Sequence, residues 1–212
     1  MMQWREGHIT EISEPFLTAL DRGLTLGDGL FETLPSFHGH AFLLDDHRDR
    51  MARSAMRLDM PFDLKTFDTA VTALSAHNPE PATIRVTLTR GVGERGLAFP
   101  DPQKPVLFAT RTSWSNRLAF STMRLTTSTI RRNPTSPTSS LKTLSYLDNV
   151  MAHHEARITG ADDALMLDPD GHVASTSMAN IFALFGQTLY TPPAEGAILP
   201  GIMRQLICDH VD

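Results

Sequence analysis

The chain has 212 residues, 41% of them hydrophobic and 20% charged, enough to bury a sizeable core in one large or two small domains and too apolar for a disordered segment. Its formal net charge of -5, from 24 acidic against 19 basic residues, gives no positive field for a phosphate backbone and argues against nucleic acid. One cysteine, Cys208, excludes an internal disulfide and a cysteine-built metal site; with no apolar run near the roughly 20 residues of a membrane helix and no signal-peptide core at the start, a cytoplasmic protein held by packing is expected.

From Ile9 to about Trp114 the sequence mixes element types, with β-like runs at 30–37, 83–90 and 105–112. Two helices are expected between them. His47–Leu58 carries Met51, Ala55 and Leu58 on one face and Arg48, Arg53 and Arg57 largely elsewhere, with Asp45 or Asp46 as its N-cap. Leu64–Ala76 brings Phe67, Val71 and Leu74 to the inward spacing and is stopped by Asn78-Pro79-Glu80-Pro81. The stretch IRRNPTSPTSS, 130–140, is dense in Pro, Ser and Thr and reads as an irregular connection. Lys142 follows it. Leu144, Leu147, Met151, His154 and Ile158 then recur at three and four residues, so a helix is expected to leave the loop with the lysine at its mouth and end near Gly160. Beyond Gly160, ALML, VAST, NIFALF and TLY, broken by Asp-Pro-Asp-Gly and Phe-Gly-Gln, read as short strands and tight turns.

Lysine is scarce: only Lys65, Lys104 and Lys142 stand beside 16 arginines, and only lysine among these cations can lose its proton when buried and act as a nucleophile. A lysine in a polar loop is ordinarily a solvated surface residue. Lys142, however, lies between a Pro-restricted loop and an apolar helix, and Tyr146 falls one helical turn on, where it would share the lysine's face. An amine against an apolar wall is partly desolvated, which lowers its pKa and suits it to Schiff-base chemistry or proton transfer. Among the arginines, Arg50, Arg85, Arg90 and Arg95 are each plausible surface ion-pair partners. Arg95 is set apart by Gly91, Gly93 and Gly96 in RGVGERG, which allow a tight loop that aims a guanidinium at a small acid. In ILPGIMR, Pro200 and Gly201 precede a helix start whose free N–H groups on Ile202 and Met203 suit a phosphate, or simply begin a helix. His38 and His40 flank Gly39 in a hairpin turn and His153 and His154 lack the spacing for joint ligation, so no metal site is expected.

Taken together, DRGLTLGDGLFETL (21–34), HRDRMARSA (47–55), TLTRGVGERG (87–96), KTLSYLDNVMAHHEA (142–156), GADDALML (160–167), ANIF (179–182) and TPPAEGAILPGIMR (191–204) resemble, in order, the blocks of the class IV aminotransferases, pyridoxal 5'-phosphate enzymes of fold type IV. The resemblance implies a mixed α/β fold of two domains, here 1–114 and 115–212, with the cofactor in the cleft between them, Arg50 from the first domain and Lys142 from the second. It implies that Lys142 forms the Schiff base and carries protons, that Arg50 pairs with the cofactor phosphate, that the Ile202 and Met203 amides hold its other oxygens, and that Tyr146 bonds the ring hydroxyl. Arg95 corresponds to a substrate-carboxylate arginine, and Phe31 is placed on the substrate side with it. A homodimer acting on a small amino acid or amino-substituted acid and a keto acid is implied as well.

Three departures from the family pattern stand out. Where members carry a glutamate five residues before the asparagine of ANIF, this chain has Ser175, whose hydroxyl holds a proton on the cofactor's ring nitrogen less well; this slows transamination and tilts toward elimination. Met203 replaces the usual threonine, removing a hydroxyl contact while keeping the N–H. The chain also stops eight residues after Arg204, which reads either as an incomplete second domain or as a shortened member with a weaker grip on the cofactor. The leading expectation is an aminotransferase; aminodeoxychorismate lyase, expelling pyruvate to leave 4-aminobenzoate, is the alternative, and a catalytically silent relative is a third reading.

Overall fold

Runs of β-branched and apolar residues, folded back on one another by tight turns, build the larger of the chain's sheets. In the computed structural model, which describes residues 1–13, 15–116, 121–195 and 198–211, they are β1 (Met2–Arg5), β2 (His8–Glu11), β3 (Gly29–Phe37), β4 (His40–Ala41), β5 (Ala82–Thr89) and β6 (Val106–Ser113). Their order is β2-β1-β6-β5-β3-β4, antiparallel throughout. The long β3–β5 and β5–β6 ladders match the three runs expected from sequence to within a residue at either end.

Three helices belong with this sheet: α1 (Arg22–Leu26), α2 (Leu44–Arg57) and α3 (Leu64–Ala76). In α3 the residues Phe67, Val71 and Leu74 are fully buried, as their spacing predicts, and Asp63 caps the helix by accepting from the Lys65 and Thr66 amides. Helix α2 buries Met51 and Ala55 but starts three residues earlier than expected. Asp45 and Asp46 lie inside its first turn rather than at the N-cap. That position is Leu43, in the left-handed region with φ 53° and no side-chain cap, so the acids act through the helix dipole instead.

A smaller three-stranded sheet is made of β7 (Leu125–Arg131), β8 (Asp163–Leu167) and β9 (Val173–Thr176), with β7 and β8 parallel and α4 (Leu147–Ile158) connecting them. A 3-10 turn (Pro137–Ser140) lies within the expected irregular connection, and the hairpin β10 (Ala183–Phe185) and β11 (Thr188–Tyr190) and helix α5 (Ile202–His210) follow β9. The face of α4 differs from the expected one. Ala152 and Ala156 turn inward against Ala161, Ala164 and Met166, with buried Asn149 one turn earlier, while Leu147, Met151, His154 and Ile158 are exposed. Small residues let the helix lie close on its strands, and a spacing count cannot tell that face from one of large residues.

Met1–Phe120 with Lys142–Ser145 form one compact unit, and Ser121–Leu141 with Tyr146–Asp212 form the other. The chain therefore returns to the first unit for four residues at Lys142, and the first unit supplies the lysine that sequence reading gave to the second. Among the described residues no helix is long and apolar enough to cross a membrane.

Candidate active site

Lys142 is not at a helix mouth. Residues 142–144 run antiparallel to the start of β3: the Phe31 amide donates to the Lys142 carbonyl and the Leu144 amide to the Gly29 carbonyl, both at 2.9 Å, and Leu30 pairs with Thr143. This docking needs Gly29, because a Cβ there would meet the Leu88 carbonyl and the Leu144 side chain. It sets Lys142 directly across from Phe31, where cross-strand side chains share a face, and Nζ lies 4.5 Å from the centre of that ring. The Arg85 guanidinium packs on the same ring at 3.8 Å. Because the segment is extended, α4 begins only at Leu147, and the helical-turn relation expected between Lys142 and Tyr146 does not form.

Burial is the strongest influence on the Lys142 amine and pushes its pKa down; the Glu32 carboxylate pulls it back up, and the Arg50 and Arg85 charges push it down again. The net is a fall from 10.5 to about 8. At pH 7 about a tenth of the amine is then neutral, against about one in three thousand for an ordinary lysine. Lys65 and Lys104 are exposed and have no comparable setting.

Glu32 organises the cations here. It shares the inward face of β3 with Leu30 and Leu34, is 1% exposed, and accepts from Arg50 Nε at 2.7 Å, Arg50 Nη2 at 2.6 Å and the His47 ring at 2.7 Å. Burial alone would raise its pKa; the hydrogen bonds and charge of Arg50, with His47, outweigh that and hold it below the usual carboxylate range. The bidentate pair fixes the plane of the Arg50 guanidinium. Sequence reading picked out Arg50 and missed Glu32, although an acid between two core leucines at strand spacing signals a buried charge that needs a partner.

In the second unit Tyr146 stands at the start of α4 and lines a shallow depression of about 40 Å³ with Arg132, Asn149, Ser175, Asn180 and Leu199. Arg132, also missed from sequence, donates to the Ser139 carbonyl at 2.6 Å and to Asn149 at 3.3 Å, and its burial pushes its pKa down while Tyr146 and Asp148 oppose the shift. Ser175 is buried on β9, paired with Met166 of β8. Ile202 and Met203 open α5 as expected; Gly201 caps it with no side chain, leaving those amides uncapped, and the Asn180 amide holds the preceding turn through the Leu199 carbonyl at 2.9 Å. Gly196 and Ala197 of the same sequence block lie outside the described residues.

Arg95 is exposed on its glycine-bearing loop in the first unit. Asp168, Asp170 and His172 lie together in the β8–β9 turn, where Asp168 accepts from the Asp170 and His172 amides and closes the turn.

A phosphate-bearing aldehyde such as pyridoxal phosphate asks for an amine with a substantial neutral fraction near pH 7 and for donors that await an anion. Lys142 meets the first demand. The uncapped first turn of α5 meets the second, because Arg204 Nε on that turn is buried with no hydrogen-bond partner among the described residues. Each unit, taken by itself, carries a feature that fits the cofactor: the amine in the first and the uncapped helix start in the second.

The family model for amino-transferase class IV matches residues 29–212. A Methanocaldococcus jannaschii protein carrying a provisional branched-chain-amino-acid aminotransferase name is 33% identical, the match covering 98% of this chain and 73% of that one. Bacillus subtilis aminodeoxychorismate lyase is 26% identical over 99% of this chain and 73% of its own. A hypothetical aminotransferase from Mycobacterium tuberculosis in its pyridoxal-phosphate-bound form superposes with a TM-score of 0.86 at 26% identity, covering 99% of this chain and 77% of that one.

Proposed function

This chain belongs to the class IV aminotransferases, and on that premise we propose that it moves an amino group between a small amino acid and a keto acid, with Lys142 as its catalytic residue. The observation that carries the reading is the Lys142 amine, docked against β3 and brought down to about 8. Pyridoxal phosphate, when bound, supplies an aldehyde carbon that condenses with amines and a ring that draws electrons from the neighbouring C–H bond.

The chain's own groups do the rest. Lys142 Nζ would hold the cofactor, and the same amine, with a pKa near the working pH, can take a proton from the substrate carbon and return one nearby. Arg50, whose guanidinium Glu32 holds in one orientation, would pair with the cofactor phosphate; the Ile202 and Met203 amides would donate to phosphate oxygens, and Tyr146 would bond the ring hydroxyl. Arg95 grips the substrate carboxylate, with Phe31 as an apolar wall beside the reacting amine. The reading includes a cytoplasmic location and a homodimer, the latter supported by the exposed apolar side chains Leu20, Leu24, Leu26, Leu97 and Phe99.

Ser175 favours a second reading, aminodeoxychorismate lyase. A buried hydroxyl at this position holds a ring proton less firmly than a carboxylate, which weakens the electron pull that transamination needs more than elimination does. Purified protein loaded with cofactor is assayed in parallel with D- and L-amino acids plus 2-oxoglutarate or pyruvate, and with aminodeoxychorismate. Formation of the keto acid derived from the amino-acid donor supports the first reading and 4-aminobenzoate the second; turnover of neither overturns both.

A further inference from the structure

The loop that carries Arg95 has little to hold it. It contains three glycines, Gly91 at φ +83° and Gly96 at φ +125° among them, and Val92 and residues 94–99 are exposed. Such a segment is mobile unless something outside it fixes its carbonyls. Here much of that hold comes from one buried residue. Arg22, 4% exposed, passes beneath the loop and donates from Nη1 to the Gly96 and Ala98 carbonyls at 3.2 and 3.1 Å, and from Nη2 to the Leu97 carbonyl at 3.3 Å. Three consecutive carbonyls immediately after Arg95 thus converge on a single guanidinium. On the near side, a Cβ on Gly93 would stand 2.8 Å from Arg22 Cδ, so the loop closes on the arginine's stem only because position 93 is glycine.

The guanidinium is itself pinned. Its Nε donates to Asp28 Oδ2 at 2.9 Å, and Arg90 Nε donates to the same oxygen at 2.8 Å. Arg90 continues into the Leu58 and Asp59 carbonyls and Gln103, and its Cζ lies 3.7 Å from the centre of the Phe99 ring, at the loop's far end. The Arg22 amide donates to the Gly91 carbonyl at 2.9 Å, and Asp21 bridges to Val92. Asp28 therefore anchors two arginines, one inside the loop and one under its exit.

We propose that Arg22 is the positioning residue for Arg95: residues 91–98 are wound around the buried Arg22 guanidinium, and that winding presents Arg95 at a fixed place to a substrate carboxylate. The inference rests on the reading that Arg95 binds that carboxylate. Lysine cannot replace the arginine, because an ammonium donates from one point, whereas the fork reaches Asp28 and three carbonyls along separate N–H directions.

The test compares Arg22→Lys, Arg95→Ala and the double variant as cofactor-loaded protein, using whichever carboxylate substrate the wild type turns over. Arg22→Lys should raise KM about tenfold to a hundredfold, the worth of a charge-assisted hydrogen bond, with kcat and the cofactor absorbance nearly unchanged. Added to Arg95→Ala, it should raise KM no further, since it acts through the same side chain. An unchanged KM in Arg22→Lys, or two effects that multiply, overturns the proposal. Hydrogen exchange supplies a readout independent of turnover: the 91–98 amides should exchange faster in Arg22→Lys while those of α3 stay protected, and equal exchange in both proteins also overturns it. A wild type that turns over no substrate refutes the functional reading instead, and the exchange result still decides whether Arg22 orders the loop.

Discussion

Replacing Lys142 by methionine should make the cofactor-free protein more stable, and by an amount that depends on pH. The folded chain lowers the amine from 10.5 to about 8. At about 1.4 kcal/mol for each tenfold change in a protonation equilibrium, this makes the charged amine about 3 kcal/mol harder to hold in the folded state than in the unfolded one. Solvent screening at the exposed part of the side chain makes that figure an upper bound. Below pH 8 both states carry the proton and the full penalty is present. Between about 8 and 10.5 the unfolded chain binds more proton than the folded one, so the wild type gains stability as pH rises through that window. Lys142→Met has no such slope. Urea unfolding of both proteins from pH 7 to 11 should show the variant ahead by up to about 3 kcal/mol at pH 7, the lead shrinking above pH 8 until only a pH-independent packing difference remains. A lead that stays constant across the range refutes the reasoning.

Glu32→Gln should cost about 3–5 kcal/mol, because it leaves the buried Arg50 without its counter-charge. The depressed Glu32 carboxyl contributes stability above its unfolded pKa of 4.5 that is lost as pH falls through its folded value, so melting temperatures of variant and wild type should converge in acid. The same substitution removes the charge that raises the Lys142 amine, and the midpoint of amine labelling against pH should fall below about 8. Ser175→Glu should raise the transamination rate relative to elimination; an unchanged ratio in parallel assays counts against the ring-nitrogen account. Gly29→Ala drives a Cβ into the Leu88 carbonyl and the Leu144 side chain, and should lower stability by about 1–3 kcal/mol and loosen residues 142–144, as read by thermal melts and amide exchange.

Elements whose cause is local were legible from the sequence. Helix α3 carries its cap, its apolar spacing and its proline stop in adjacent residues, and β3, β5 and β6 announce themselves by composition. What depends on distant partners was not. Residues 142–144 pair with the start of β3 across more than a hundred residues of chain, and nothing in KTL announces that pairing. Lys142 lies extended against β3 and not at a helix mouth beside Tyr146, so the setting that the spacing predicts for it is not the one the fold supplies. The α4 face went astray because alanines and an asparagine lie inward where larger apolar residues were available to count. Arg22 is a similar case, looking like a surface charge until its partner Asp28 is in place, whereas Glu32 was signalled by its place between core leucines but its partners Arg50 and His47 were not.

The central claim is that one amine, Nζ of Lys142, holds the cofactor. Incubating the protein with pyridoxal phosphate, reducing with borohydride and mapping the label by peptide mass spectrometry tests it most directly. The account predicts an absorbance band at the edge of the visible that vanishes on reduction, leaving the label on Lys142 and neither Lys65 nor Lys104. Protein that stays colourless, or a label spread over all three lysines, contradicts it.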